Sequence, residues 1–312
     1  MIDPAVSALL AQAASGPHRP RMGLVAIPER DWIVLGDDQR EKLVLKRRLL
    51  ADHHAEVFAA LPGTDEARHA RGILLHEAEV VGDEASREVE RMHRRAAHAH
   101  ELRRRGDREH RAHARVARRE AARQVVEEEL RDLLAGRLVP DDLCLVQEDA
   151  EGVPRLVAAS LCFPSRWRLA EKLGRQIAEI HGPVPDYGKA LAAPVDRFFG
   201  ALGEGRIVER WNWTIHDRPD LFQPQSPRRH AVPPERFADG LFLRNERQTL
   251  RRLPRSRAIL FAIDTRVTRL GDVPPADARN LAAAIRHLPD GELAYKGIAA
   301  IAAPLAEWLA AR

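Results

Sequence analysis

The sequence predicts an α+β fold with a largely antiparallel sheet and flanking helices, and three observations carry that prediction. Strand-like runs follow Pro140 at Leu143–Gln147, Leu156–Cys162, Ile207–Thr214, Leu241–Asn245 and Ala258–Thr265. Helical patterns with apolar residues three and four positions apart lie between and after them. Ahead of them runs a long Ala-, Arg-, Glu- and His-rich stretch, strong in helix propensity and almost free of an apolar stripe. Strands mixed with helices in this irregular way argue for α+β layers rather than regular parallel βαβ units.

Taken in order, residues 17–36 read as an extended, Pro-punctuated lead-in ending in a short strand, Trp32–Leu35. Asp37 and Asp38 are placed to cap a helix over Gln39–Leu61, stopped by Pro62-Gly63, with Leu45, Leu49, Leu50, Val57 and Phe58 facing inward. Residues 64–137 predict a projecting helical hairpin turning at Arg105-Gly106-Asp107. Val125, Val126, Leu130, Leu133 and Leu134 then restore a spacing suited to packing on the body. Further helices are predicted at Trp167–Ile180, Ala190–Leu202, Asp277–Leu288 and Glu292–Ala311. The resulting division is an N-terminal lead-in and helix (1–63), an inserted Arg/His-rich helical arm (64–137) and an α+β core (138–312).

Composition narrows the class. With 312 residues, 45% hydrophobic and 31% charged, the chain can bury one good-sized core. No stretch approaches the roughly 20 apolar residues of a membrane span. No basic region precedes the apolar N-terminal tail, which argues against a secretory signal. Cys144 and Cys162 make no disulfide framework, and free thiols point to the cytoplasm. The net charge is +4, yet Arg87 to Arg123 alone holds 13 Arg against 6 acidic residues, so +7 sits there and −3 on the rest. A weakly acidic body with one basic arm, without interleaved aromatics, argues against nucleic acid as partner. His93, His98, His100, His110 and His113 lie in that arm, where neighbouring arginines would repel a divalent cation, so a solvated face is the simpler reading. Dinucleotide, P-loop, GxSxG, CxxC and HExxH signatures are absent.

Three segments carry more information. They are Ser160-Leu-Cys-Phe-Pro-Ser-Arg-Trp167 with Ile177-Ala-Glu-Ile-His-Gly-Pro-Val-Pro185, Arg210-Trp-Asn-Trp-Thr-Ile-His216 with Leu221-Phe-Gln-Pro224, and Leu243-Arg-Asn-Glu-Arg-Gln-Thr-Leu-Arg-Arg-Leu-Pro254. Together with Arg21-Met-Gly-Leu24, Asp31-Trp32, Lys46–Leu50 and Glu56–Pro62, they make the chain resemble the haem subunits of haem-dependent oxidative N-demethylases. Residues 76–123 depart from that pattern. The resemblance implies a PAS-like fold holding haem b, and dioxygen-dependent oxidation of a small secondary amine such as dimethylamine, with release of formaldehyde. It also implies electrons from NADPH, delivered through flavin and iron–sulfur partner subunits. A non-catalytic PAS-like haem sensor or carrier is the alternative, because fold alone does not decide activity.

Within that resemblance His181 is the expected axial iron ligand, at a helix end followed by Gly182-Pro183. The competing role for His181 is capping of the last helix carbonyls. Cys162 is the rival ligand, against a plain buried cysteine. Arg247 is the expected distal cation, with a haem propionate contact or a structural ion pair as alternatives. Glu246 and Tyr187 are candidates to orient an alkylammonium substrate, although Glu246 faces the opposite side of a strand from Arg247. Thr249 is a candidate propionate partner, Trp213 a cofactor wall or core residue, and Arg251, Arg252 and Arg255 are candidates for propionates or an acidic redox partner.

Overall fold

A computed structural model describes residues 2–34, 36–61, 139–225, 232–254 and 256–312. The predicted arm and its histidines therefore lie outside the described residues. Seven strands form one antiparallel sheet: β1 (Val25–Ile27), β2 (Phe58–Ala60), β3 (Asp142–Glu148), β4 (Pro154–Ser160), β5 (Ile207–His216), β6 (Phe242–Arg252) and β7 (Ile259–Arg269). Their order is β1-β5-β6-β7-β3-β4-β2, and every neighbouring pair runs antiparallel. Helices flank the sheet, so the α+β class holds. Among the described residues no helix is long and apolar enough to cross a membrane.

Several boundaries differ from the sequence reading, each for a physical reason. The first strand lies at Val25–Ile27, where it pairs with Ile207–Glu209. Trp32 instead follows a 3-10 turn over Glu29–Asp31 and is fully buried against Leu143, Ile207 and Leu260. The helix predicted over 39–61 stops early. It runs as α1-following helix α2 (Gln39–Asp52), after α1 (Pro4–Ala14), and then makes one turn, α3 (His54–Val57). His53 leaves helical geometry between them, and Phe58–Ala60 extends to pair with Ala158–Ser160 at the sheet edge. Sheet pairing there overrides a helical tendency already weakened by Asp52-His53-His54.

The predicted helix at 167–180 is the largest departure. Only a 3-10 turn (Leu169–Glu171) and a single turn, α4 (Ile177–Ile180), form. Gly174 between them adopts φ +77°, a left-handed conformation suited to glycine. Its amide donates to the Leu156 carbonyl at 2.7 Å, and the Leu156 amide donates back to the Arg175 carbonyl at 3.1 Å. The segment is thus stitched to β4, while Leu169 and Ile177 still supply buried apolar contacts. The C-terminal helix predicted over 292–311 likewise breaks at Gly297, φ +70°, into α8 (Asp290–Lys296) and α9 (Ala302–Ala310). Between α4 and α8 lie α5 (Ala192–Ala201), α6 (Phe237–Gly240) and α7 (Pro275–His287).

Alternation along the strands gives the sheet two faces with different jobs. On one face Trp213, Ile215 and Leu243 pack against α1, α7 and α9 through Val6, Leu10, Leu281, Ile285 and Leu305. We call this the helix-packed face. On the other, Val208, Leu250, Ile259 and Val146 pack with Ile177, Phe199 and Leu202, and Ile180 leans on the same surface. This second face carries the His181 segment.

Candidate functional site

His181 terminates α4, whose start is fixed by a reciprocal capping box between Gln176 and Glu179. The His181 ring turns back on its own turn, with Nδ1 at 2.9 Å from the Ile177 carbonyl. A carbonyl only accepts, so Nδ1 carries the proton and Nε2 carries the lone pair. No hydrogen bond to Nε2 is formed among the described residues. Burial pushes the imidazole pKa down, Lys172 and Arg210 push it the same way, and the Ile177 carbonyl opposes them. A neutral imidazole with a free Nε2 is the form that ligates a metal. The Tyr187 ring stacks on it with centroids 5.1 Å apart and planes 12° apart. Tyr187 is itself buried, and its hydroxyl has no partner.

Charged groups gather on the same face. Arg210 pairs in register with Gln248, which places both beside Glu246 on the His181 side. The Gln248 amide donates to Glu246 Oε2 at 3.0 Å, and Arg244 Nε lies 3.9 Å from Glu246 Oε1. Arg244 is anchored by donation to the Phe163 carbonyl at 2.6 Å and the Leu221 carbonyl at 3.2 Å. Helix α8 borders this face at the β5 edge. Lys296 donates to the Trp213 carbonyl at 2.8 Å, and a Cβ on Gly291 would lie 3.6 Å from Pro185 in the loop after His181. Burial brings the Lys296 pKa down to about 8, with Arg210 adding to the fall while Glu292 and Glu246 resist it. Burial also lowers Lys172, whose ammonium sits 4.0 Å above the Trp167 ring.

Of the sequence-predicted set, the structure thus stacks Tyr187 on His181 and sets Glu246 on the same face of the sheet. It does not bring Arg247, Thr249, Trp213 or Cys162 to them. Arg247 pairs with Trp211 and Asp264 on the helix-packed face. There its Nε donates to Glu209 at 2.5 Å and its two terminal nitrogens donate to the Trp32 and Asp31 carbonyls. This is the structural ion pair among the three roles considered for it. Thr249 pairs with Glu209 and Ala262 on that same face, fully buried. Trp213 is a core residue under Lys296, 4.6 Å from its ring centroid. Cys162 is fully buried with Leu49, Leu50, Val57 and Phe163, and burial pushes its thiol up to about 12, against thiolate character. Arg252 donates to the Leu202, Arg257 and Phe199 carbonyls, and Arg251 pairs with Glu29 at 2.7 Å. Arg255 lies outside the described residues.

Arg210, Lys172, Tyr295 and Lys296 were not singled out from sequence. For Arg210 a pointer existed. Trp211 and Trp213 share one face, so Arg210 and Asn212 must share the other.

These residues fit a haem by chemistry. They offer one neutral imidazole with a free nitrogen, apolar contact from Ile180, Val208, Leu250 and Phe261, and cations able to meet carboxylates. Outside this geometry stands an independent comparison. A family model described as haem-dependent oxidative N-demethylase, alpha subunit-like, matches residues 23–306. That description carries haem dependence and a general oxygenase role, and an alpha subunit implies partner subunits. The chain belongs to the haem-dependent oxidative N-demethylase alpha subunit-like family.

Proposed function

We propose that this protein is the haem b-binding subunit of an oxygenase that removes a methyl group from a small secondary amine such as dimethylamine. The observation that carries the proposal is the His181 ring, fixed as the Nδ1–H tautomer by the Ile177 carbonyl and left with a free Nε2. His181 would hold the haem iron through Nε2, and Tyr187 holds the ring plane by stacking on it. A bound haem supplies dioxygen activation.

The chain's own residues then position the amine. Glu246, steadied by Gln248 and flanked by Arg244, is the acceptor for the amine N–H. The overall reaction consumes one secondary amine, one dioxygen, two electrons and two protons. It forms the primary amine, formaldehyde and water, with the N–CH3 bond broken. In this reading the electrons come from NADPH through flavin and iron–sulfur partner subunits, as the family resemblance implies.

Formaldehyde release tests this directly. Haem-loaded protein supplied with reductant, oxygen and dimethylamine is expected to form formaldehyde and methylamine in equal amounts. Glu246→Gln is expected to raise the amine KM about tenfold while leaving the haem spectrum in place. No formaldehyde from any small secondary amine, in protein that binds haem, overturns the catalytic reading.

A further inference from the structure

Arg210 stands out among the strand arginines on the His181 face because, among the described residues, its guanidinium makes no hydrogen bond and no ion pair at all. Arg244 and Arg252, on the same face of β6, both donate from their guanidinium groups to backbone carbonyls, and Arg244 Nε lies 3.9 Å from Glu246. The Arg210 Nε is buried without a partner. A guanidinium presents its N–H donors in a fixed fork, so leaving the buried Nε–H unmatched is costly unless a ligand meets it. Glu246, two residues along the partner strand from the Gln248 register position, is committed to Gln248.

The neighbours of Arg210 have the same polarity of need. Tyr187, stacked on His181, has a buried hydroxyl without a partner. Lys172 and Arg210 both disfavour a charged His181. Burial lowers the Arg210 pKa itself, with only Glu246 and Tyr295 counteracting it. Cations therefore outnumber the carboxylates that could neutralise them around this histidine, which is the signature of a site completed by an anion.

We infer that Arg210 is an oxyanion-binding residue of the His181 site, taking a carboxylate or a comparable small anion in the fork left unfilled by the protein. This rests on the haem reading above and transfers to Arg210 the anion-binding role that the sequence suggested for Arg247. Two sources share this chemistry, namely a haem propionate and an anion bound on the iron side of the pocket.

The experiment separates them. Wild type and Arg210→Gln are titrated with iron protoporphyrin IX and with its dimethyl ester, followed by the Soret band. The ferric proteins are then titrated with azide. Wild type is expected to prefer the free acid over the ester, or to bind azide, with an affinity that Arg210→Gln lowers by about tenfold. Loss confined to the acid-over-ester preference assigns the propionate, and loss confined to azide assigns the iron-side anion. Arg210→Lys keeps the charge and the strand position, and it is expected to recover most of the affinity in a protein of wild-type circular dichroism. Both ratios staying within about twofold of wild type in Arg210→Gln, with an intact Soret band, overturns the inference while leaving the haem reading standing. A wild-type protein with no Soret band removes the haem reading first and this one with it.

Discussion

At the residue scale, the contrast between Arg247 and Arg210 shows how much a one-residue alternation decides. Both are arginines on the neighbouring strands β5 and β6, and both arise in segments that carry the family resemblance. Arg247 is saturated by Glu209 and two carbonyls on the helix-packed face, whereas Arg210 is unmatched on the His181 face. The sequence around Arg247 could not reveal this. In the run Arg244-Asn245-Glu246-Arg247-Gln248-Thr249 both faces of the strand are polar, so no apolar alternation says which side meets the core. His181, by contrast, was legible, since the Gly-Pro after it ends the turn wherever that turn begins. Removing the buried Arg247 guanidinium strips the half-buried Glu209 carboxylate of its ion pair and leaves the Trp32 and Asp31 carbonyls without their donor. Arg247→Met is therefore expected to destabilise the fold by roughly 3 kcal/mol, measured by urea unfolding, with the haem spectrum of the folded protein unchanged. A stable variant with a shifted Soret band would contradict this placement.

At the scale of elements, four of the five strands expected after Pro140 came out longer, the fifth shifted from Leu156–Cys162 to Pro154–Ser160, and the lead-in strand formed at Val25–Ile27 instead of after Asp31. The helices fared unevenly. Asp277–Leu288 was close to the observed α7, Pro275–His287, because its apolar residues and Pro275 agree on one register. The helix expected over 167–180 failed, because four-residue spacing of Leu169, Leu173 and Ile177 says nothing about hydrogen bonds that Gly174 and Leu156 make across the chain. Strand β5 ends on another device that periodicity cannot show. His216 accepts at Nε2 from Ser165 at 3.2 Å and donates from Nδ1 to Gln223 at 3.0 Å, tying β5 to the loops around residues 165 and 223.

Burial, with Arg166 and Arg244 adding to it, depresses the His216 pKa to about 3. The unfolded chain takes up this proton near pH 6.5, so the neutral histidine stabilises the fold above that pH. Stability is lost as pH falls from about 6.5 towards 3, at up to about 1.4 kcal/mol per pH unit from this group. His216→Gln is expected to flatten that part of the curve, read as a smaller drop in urea midpoint between pH 7 and pH 4.5 than in wild type. An equal drop in the two proteins would show that His216 titrates freely in the fold.

For the whole molecule, one seven-stranded sheet separates stability from function by face. The helix-packed face joins α1, α7 and α9 to an apolar cluster and to buried ion pairs, among them Lys42 with Asp264 at 2.6 Å. The His181 face carries a neutral imidazole, an unmatched guanidinium, a steadied carboxylate and the border formed by α8. The fold class followed from the strand-and-helix inventory, while the division between faces did not, because it depends on register between strands far apart in sequence. The division makes a molecule-wide expectation. Lys42→Met on the helix-packed face is expected to shift the unfolding midpoint and spare the haem spectrum and the amine KM, and Glu246→Gln on the other to raise the amine KM and spare the unfolding midpoint.

The central claim is that His181 holds the iron. Absorption spectra of haem-reconstituted wild type, His181→Gly and Cys162→Ala, with and without added imidazole, test it most directly. The account predicts that His181→Gly loses or shifts the Soret band, that free imidazole restores it, and that Cys162→Ala is indistinguishable from wild type. An unchanged band in His181→Gly, or its loss in a well-folded Cys162→Ala, would contradict the account.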